Sequence, residues 1–181
     1  MPHLNQLAKN PNNETDNMTR WVTGIVLLLT ITGCGDLDFK INEKVVYSPR
    51  PLFSDFEVAD AALQACLEQA IIDQNVTLAN ELLSLNCSHA KISDLGGLEV
   101  FTSLTQLKLS SNQIRNLMPL RPMSSLEALY LDNNQVVDPV PLYDLLSLAT
   151  LDLSGNPKLQ CPSSQALLRM DQVTLPEHCQ N

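Results

Sequence analysis

A 22-residue echo constrains this chain more than any other feature. Leu104, Leu107, Leu109, Asn112, Ile114, Leu117 and Leu120 return as Leu126, Leu129, Leu131, Asn134, Val136, Pro139 and Leu142. A further copy begins with Leu148, Leu151, Leu153 and Asn156, and an earlier one holds Leu82, Leu85, Cys87, Ala90, Ile92, Leu95 and Leu98. A fixed period of this length means one supersecondary unit stacked on itself, because a single copy cannot bury its apolar face alone.

Local physics predicts what each copy does. Leu107 and Leu109 alternate across Lys108, the period of a strand with one buried face, so successive copies predict a parallel sheet in register. Asn112, Asn134 and Asn156 carry amides that both donate and accept, suited to satisfying backbone groups where the chain leaves the strand. Ala90 cannot do this, which predicts a looser first turn or one served by water or a neighbouring side chain. Ile114 and Leu117 with their equivalents close a thin core.

The frame resembles that of the bacterial, internalin-like leucine-rich repeat proteins of the short 22-residue class, over residues 55 to 181, with 86–92 as the weakest copy. The resemblance implies an α/β solenoid, a short leucine-rich repeat stack with a parallel β-sheet on its concave face. It implies recognition rather than catalysis and carries no particular ligand.

Both flanks read as caps. Ser54 and Glu57 have capping-box spacing, and Leu63, Cys66, Leu67, Ala70 and Ile71 form a helical stripe. This predicts a helix over residues 56 to 72 within an N-terminal cap of 55–81. The repeats occupy 82–160. In the C-terminal cap, 161–181, a short helix over 163–169 precedes a degenerate strand marked by Met170, Val173 and Leu175 and stopped by Pro176.

Residues 21 to 32 form a short apolar run after Arg20, too short for a comfortable membrane span and suited to a signal-peptide core. Ile31-Thr32-Gly33-Cys34 looks like a bacterial lipoprotein processing box, so residues 1–33 are expected to be a signal peptide and Cys34 to be lipidated. Met18 is an alternative start. Residues 34–54, with prolines, charges and no sustained period, read as a tether. Gly35 in place of an inner-membrane-retaining Asp points to the outer membrane. The expected location is the bacterial cell envelope, with the membrane reached through the N-terminal lipid.

With Cys34 lipidated, four cysteines remain, and four allow three pairings. Cys66 lies on the helical stripe, and Cys87 takes the inward position of Leu109, Leu131 and Leu153, so a Cys66–Cys87 bond would staple the N-terminal cap. Cys87 also fits as a small buried hydrophobe. Cys161 and Cys179 bracket the C-terminal cap, and closing a loop of that size contributes on the order of 3 kcal/mol in the chain-entropy account.

The chain carries a formal net charge of -9, and losing residues 1–33 removes equal numbers of cations and carboxylates. No basic face serves nucleic acid. Catalysis finds no support: His3, His89 and His178 are far apart in the sequence, Asp132, Asn133 and Asp138 lack calcium-loop spacing, and no phosphate loop or nucleophile elbow appears. No metal or cofactor is expected. By strand parity the outward positions of the sheet include Asn86, Lys108, Ser110, Tyr130, Asp132 and Asp152, with Lys108, Tyr130 and Asp152 side by side. Tyrosine is enriched at interface hot spots. The expected function is therefore a lipid-anchored module binding an unidentified protein or envelope component; the alternative is a structural envelope protein without a discrete ligand site.

Overall fold

The computed structural model describes residues 39–41, 44–47 and 50–180. The chain divides into two compact units, Met1–Pro49 and Arg50–Asn181. The apolar run over 21–32 and Cys34 lie outside the described residues. Among the described residues no helix is long and apolar enough to cross a membrane.

In the first unit, strand β1 (Phe39–Ile41) pairs antiparallel with β2 (Lys44–Tyr47), with a register irregularity between Phe39 and Lys40. This short pair lies within the stretch read as a flexible or loosely packed tether over 34–54. Phe39, Ile41, Val45, Val46 and Tyr47 are aromatic or β-branched, the composition that favours strands.

The second unit is a five-stranded parallel sheet in simple chain order: β3 (Ser84–Asn86), β4 (Gln106–Lys108), β5 (Ala128–Tyr130), β6 (Thr150–Asp152) and β7 (Gln172–Thr174). Leu85, Leu107, Leu129, Leu151 and Val173 stand opposite one another strand by strand. The leucines are buried, as are Cys87, Leu109, Leu131 and Leu153 at the next inward position. The sequence period is thus the register itself. Short 3-10 turns at Leu98–Val100, Met118–Leu120 and Val140–Asp144 return the chain and bury Leu98, Leu120 and Leu142.

Buried asparagines link the copies. Asn112 Nδ2 donates to Leu109 O in its own turn and to Cys87 O in the preceding copy, both at 2.9 Å, while its Oδ1 accepts from Ile92 N at 3.0 Å. Asn134 repeats this with Leu131 O, Leu109 O and Ile114 N, and Asn156 with Leu153 O, Leu131 O and Val136 N. Each asparagine therefore serves the copy before it. The residue preceding this position is left-handed in every copy, at Ser111, Asn133 and Gly155 before the asparagines and at His89 before Ala90.

Ala90 supplies no such bond, and Cys87 O accepts instead from Asn112 of the next copy. The first turn differs from the others in a second left-handed residue, Lys91 with φ 67°, so it is reshaped rather than loosened. Just beyond the turn, the Asp60 side chain bonds Ser93 and Asp94.

Helix α1 (Ala61–Gln74) begins later than expected over 56–72, and the Ser54–Glu57 capping box is not used. Phe53, Phe56 and Val58 pack against the core instead. The rings of Phe53, Phe56 and Phe101 meet at centroid distances of 5.4 to 5.9 Å, and Phe53 N donates to Val76 O at 2.9 Å. The folded unit thus extends back to Arg50, into the stretch assigned to the tether. Gly97, at φ 96°, has no room for a side chain against the Glu57 carbonyl and Val58, so residues 57–58 lie directly on the first copy. Leu63, Leu67 and Ile71 are the buried stripe of α1, and Gln74 Nε2 meets Ser84 O at 3.0 Å on the β3 edge.

Asp60 caps the helix with Oδ1, which accepts from Ala62 N and Leu63 N, and reaches the first copy with Oδ2, which accepts from Ser93 N, Ser93 Oγ and Asp94 N. Burial pushes its carboxyl up, but the hydrogen bonds from Ser93, Leu63 and Asp94 outweigh this and hold it below the ordinary 3.8. A lowered folded value means the contribution is complete above pH 3.8 and disappears as pH falls through the folded value. Asp60→Ala is expected to lower stability by about 1 to 2 kcal/mol at neutral pH. Urea melts of both proteins should show the difference narrowing in acid below that value.

At the other end, α2 (Ser164–Leu167) is shorter than the expected 163–169, and β7 closes the sheet. Gln180 Nε2 covers the Leu175 carbonyl at 2.6 Å. Both cysteine pairs are bonded as the sequence positions predict: Cys66–Cys87 with Cα atoms 5.9 Å apart, and Cys161–Cys179 with Cα atoms 5.3 Å apart.

Candidate functional site

The outward face of the sheet is built by parity. Because inward leucines fix the register, Asn86, Lys108, Tyr130, Asp152 and Thr174 form one outward column across all five strands. Ser110 and Asp132 stand two residues further along their copies. All six residues expected at this face are thus on one surface. Thr174 and its neighbour Gln172 were not assigned to it; the frame position of Val173 was the signal that would have placed them.

Lys108 Nζ lies 5.4 Å from the centroid of the Tyr130 ring, a cation–π contact of about 0.5 to 1 kcal/mol at exposed sites. It holds the tyrosine face towards the Lys108 side of the column. Ser110 Oγ donates to Asp132 Oδ1, and Asn133 Nδ2 donates to Asp132 Oδ2 at 2.9 Å, so that carboxylate is oriented from two sides. Asp152 Oδ1 accepts from Ser154 N at 2.9 Å, and Asn86 Oδ1 accepts from Ser88 N at 3.2 Å. These bonds fix both side chains against their own turns. The surface therefore grades from a cation over an aromatic ring to two positioned carboxylates, all half-buried between neighbours except exposed Asn86.

The histidines do not join this face. His89 is exposed on the first turn, while a ring nitrogen of His178 lies 3.0 Å from Leu159 O. His178, Cys161 and Cys179 bring their potential ligand atoms within 4.8 Å of one another. The two sulfurs are joined in the disulfide, so neither is a free thiolate for a metal.

This architecture, with its asparagine-linked turns, is that of a leucine-rich repeat solenoid. Its fold is shared with internalins of Listeria monocytogenes str. 4b F2365. Against the internalin inlF the TM-score is 0.56 at 24% identity, covering 65% of this chain and 36% of that one. Against internalin C2 it is 0.52 at 22% identity, covering 64% of each. The chain thus spans less than two thirds of either protein. Neither a protein-family model nor a curated protein matches the sequence.

Proposed function

We propose that this protein is a lipid-anchored component of the bacterial cell envelope whose repeat domain binds a protein partner through the outward, concave face of its sheet, without catalysis. The observation that carries the reading is the column in which Lys108 covers Tyr130 beside Asp152, on a fold shared with internalins. Tyr130 offers a ring whose orientation is already restricted, and Asp132 and Asp152 offer carboxylates already oriented, so less freedom is lost on binding. A partner segment presenting a cation to the two aspartates and an apolar surface to Tyr130 fits this gradient. The lipobox-like Ile31-Thr32-Gly33-Cys34 supports anchoring, and Gly35 favours the outer membrane.

Capture from detergent-solubilised envelopes, comparing the native chain with Tyr130→Ala and Asp152→Ala, tests the face. Each substitution is expected to weaken partner binding by about 1 kcal/mol or more, with thermal unfolding nearly unchanged. Unchanged capture by both variants refutes the assignment. Anchoring has its own test: intact mass should show a lipidated N-terminal Cys34, and Cys34→Ser should accumulate precursor. An unmodified N-terminus elsewhere refutes it.

A further inference from the structure

Beyond each asparagine turn, neighbouring copies share one backbone hydrogen bond. Gln113 N donates to Ile92 O at 2.8 Å, and Gln135 N donates to Ile114 O at 2.9 Å. The next amide in that series would belong to residue 157, which is proline and has no N–H. The series breaks there, and the following bond runs from Gln160 N to Val137 O at 2.8 Å. Leu159 takes the buried place that Ile114 and Val136 hold in earlier copies. Pro157 and Lys158 are consequently pushed out to the surface.

A cleft of about 260 Å³ opens at this break, lined by Arg115, Gln135, Val137, Pro157 and Lys158. Among the described residues neither Arg115 nor Lys158 pairs with a carboxylate; the ion pair found there is Arg121–Asp144. Two cations on one small cleft of a chain with net charge -9 select an anion locally against the charge of the whole. Val137 and Pro157 add an apolar wall, and the Gln135 amide can donate and accept at once. The volume lies below the roughly 300 to 1,000 Å³ of drug-sized pockets, which limits the occupant to about one ring.

We propose that this cleft binds a single sugar unit carrying one anionic group, a carboxylate or a phosphate. The anion meets the Arg115 guanidinium and the Lys158 ammonium, as charge-assisted hydrogen bonding favours. The ring lies on Val137 and Pro157, and Gln135 pairs with a hydroxyl. None of these residues belongs to the outward column of the sheet, so this site and the protein-binding face stand or fall separately.

Titration of the full chain with glucuronate, glucose 6-phosphate, neutral glucose, acetate and inorganic phosphate, followed by amide NMR shifts, tests it. At least one sugar acid is expected to bind at about millimolar strength, shifting Gln135, Val137 and Lys158, with glucose about tenfold weaker or silent. Which acid binds more tightly distinguishes carboxylate from phosphate. Arg115→Gln and Lys158→Gln should each weaken binding about fivefold, and Val137→Asp should abolish it while the far-UV spectrum and melting curve stay native. No response to either sugar acid, an equal response to glucose, or binding unchanged in all three variants overturns the proposal. Acetate or inorganic phosphate binding as tightly as the corresponding sugar acid also overturns it, since the site would then hold a simple ion only.

Discussion

Asn134→Leu is expected to destabilise the repeat unit by about 2 to 6 kcal/mol, because it strands the buried Ile114 N–H at about 1 to 3 kcal/mol and removes one hydrogen bond, about 0.5 to 1.5 kcal/mol, from each of the Leu109 and Leu131 carbonyls. Ile114 N donates to Oδ1 at 3.0 Å, and Leu109 O accepts from Nδ2 at 2.9 Å while also accepting from Asn112. Leu131 O loses a bond as well. The side chain is only 5% exposed, so water cannot replace it without opening the stack. Urea unfolding should show a lower midpoint with little change in slope. Exposed Gln135→Ala is the control and should stay within about 0.5 kcal/mol of the parent. If Asn134→Leu unfolds at the parent's midpoint, the inter-copy bonds contribute nothing and the account of the fold is wrong.

Leu131→Ala should be about as severe, at about 2 to 5 kcal/mol, by removing a fully buried side chain from a thin layer that cannot collapse around the void. The adjacent outward substitution Tyr130→Ala loses only half-buried surface packing and the contact with Lys108, about 1 kcal/mol or less. The pair distinguishes the two faces of one strand by calorimetry alone. Combined, Asn134→Leu and Leu131→Ala should cost less than the sum of the two. The Asn134 amide bonds the backbone of residue 131 and both side chains adjoin the same layer, and neighbours of this kind are not additive.

What was legible in the sequence was whatever repeats. Leu85, Leu107, Leu129 and Leu151 define the register, and parity then assigned Lys108, Tyr130 and Asp152 to one column. The cysteine pairs followed from the same frame, since Cys87 sits in a leucine's place. Non-periodic features were harder. Ser54 and Glu57 satisfy a local capping rule, but packing of Phe53 and Phe56 onto Phe101 holds that stretch outside the helix and leaves Asp60 to cap it. The hairpin of β1 and β2 has no repeat to announce it. The cleft near Arg115 depends on one missing N–H at Pro157, visible in the sequence only once the Gln113 and Gln135 amides are known to be bonding partners.

The backward reach of the asparagines gives chain growth a direction. Asn112 completes the polar accounts of residues 87 and 92, Asn134 those of 109 and 114, and Asn156 those of 131 and 136. A polypeptide emerging from the ribosome amino end first therefore always carries one incomplete turn, at its newest copy, and each further 22 residues move that vacancy along without enlarging it. Duplicating a whole unit within 104–147 would leave every turn with its successor's amide, so arrays of this kind can lengthen internally by gene duplication. The same duplication across Pro157 would copy the break as well as the repeat.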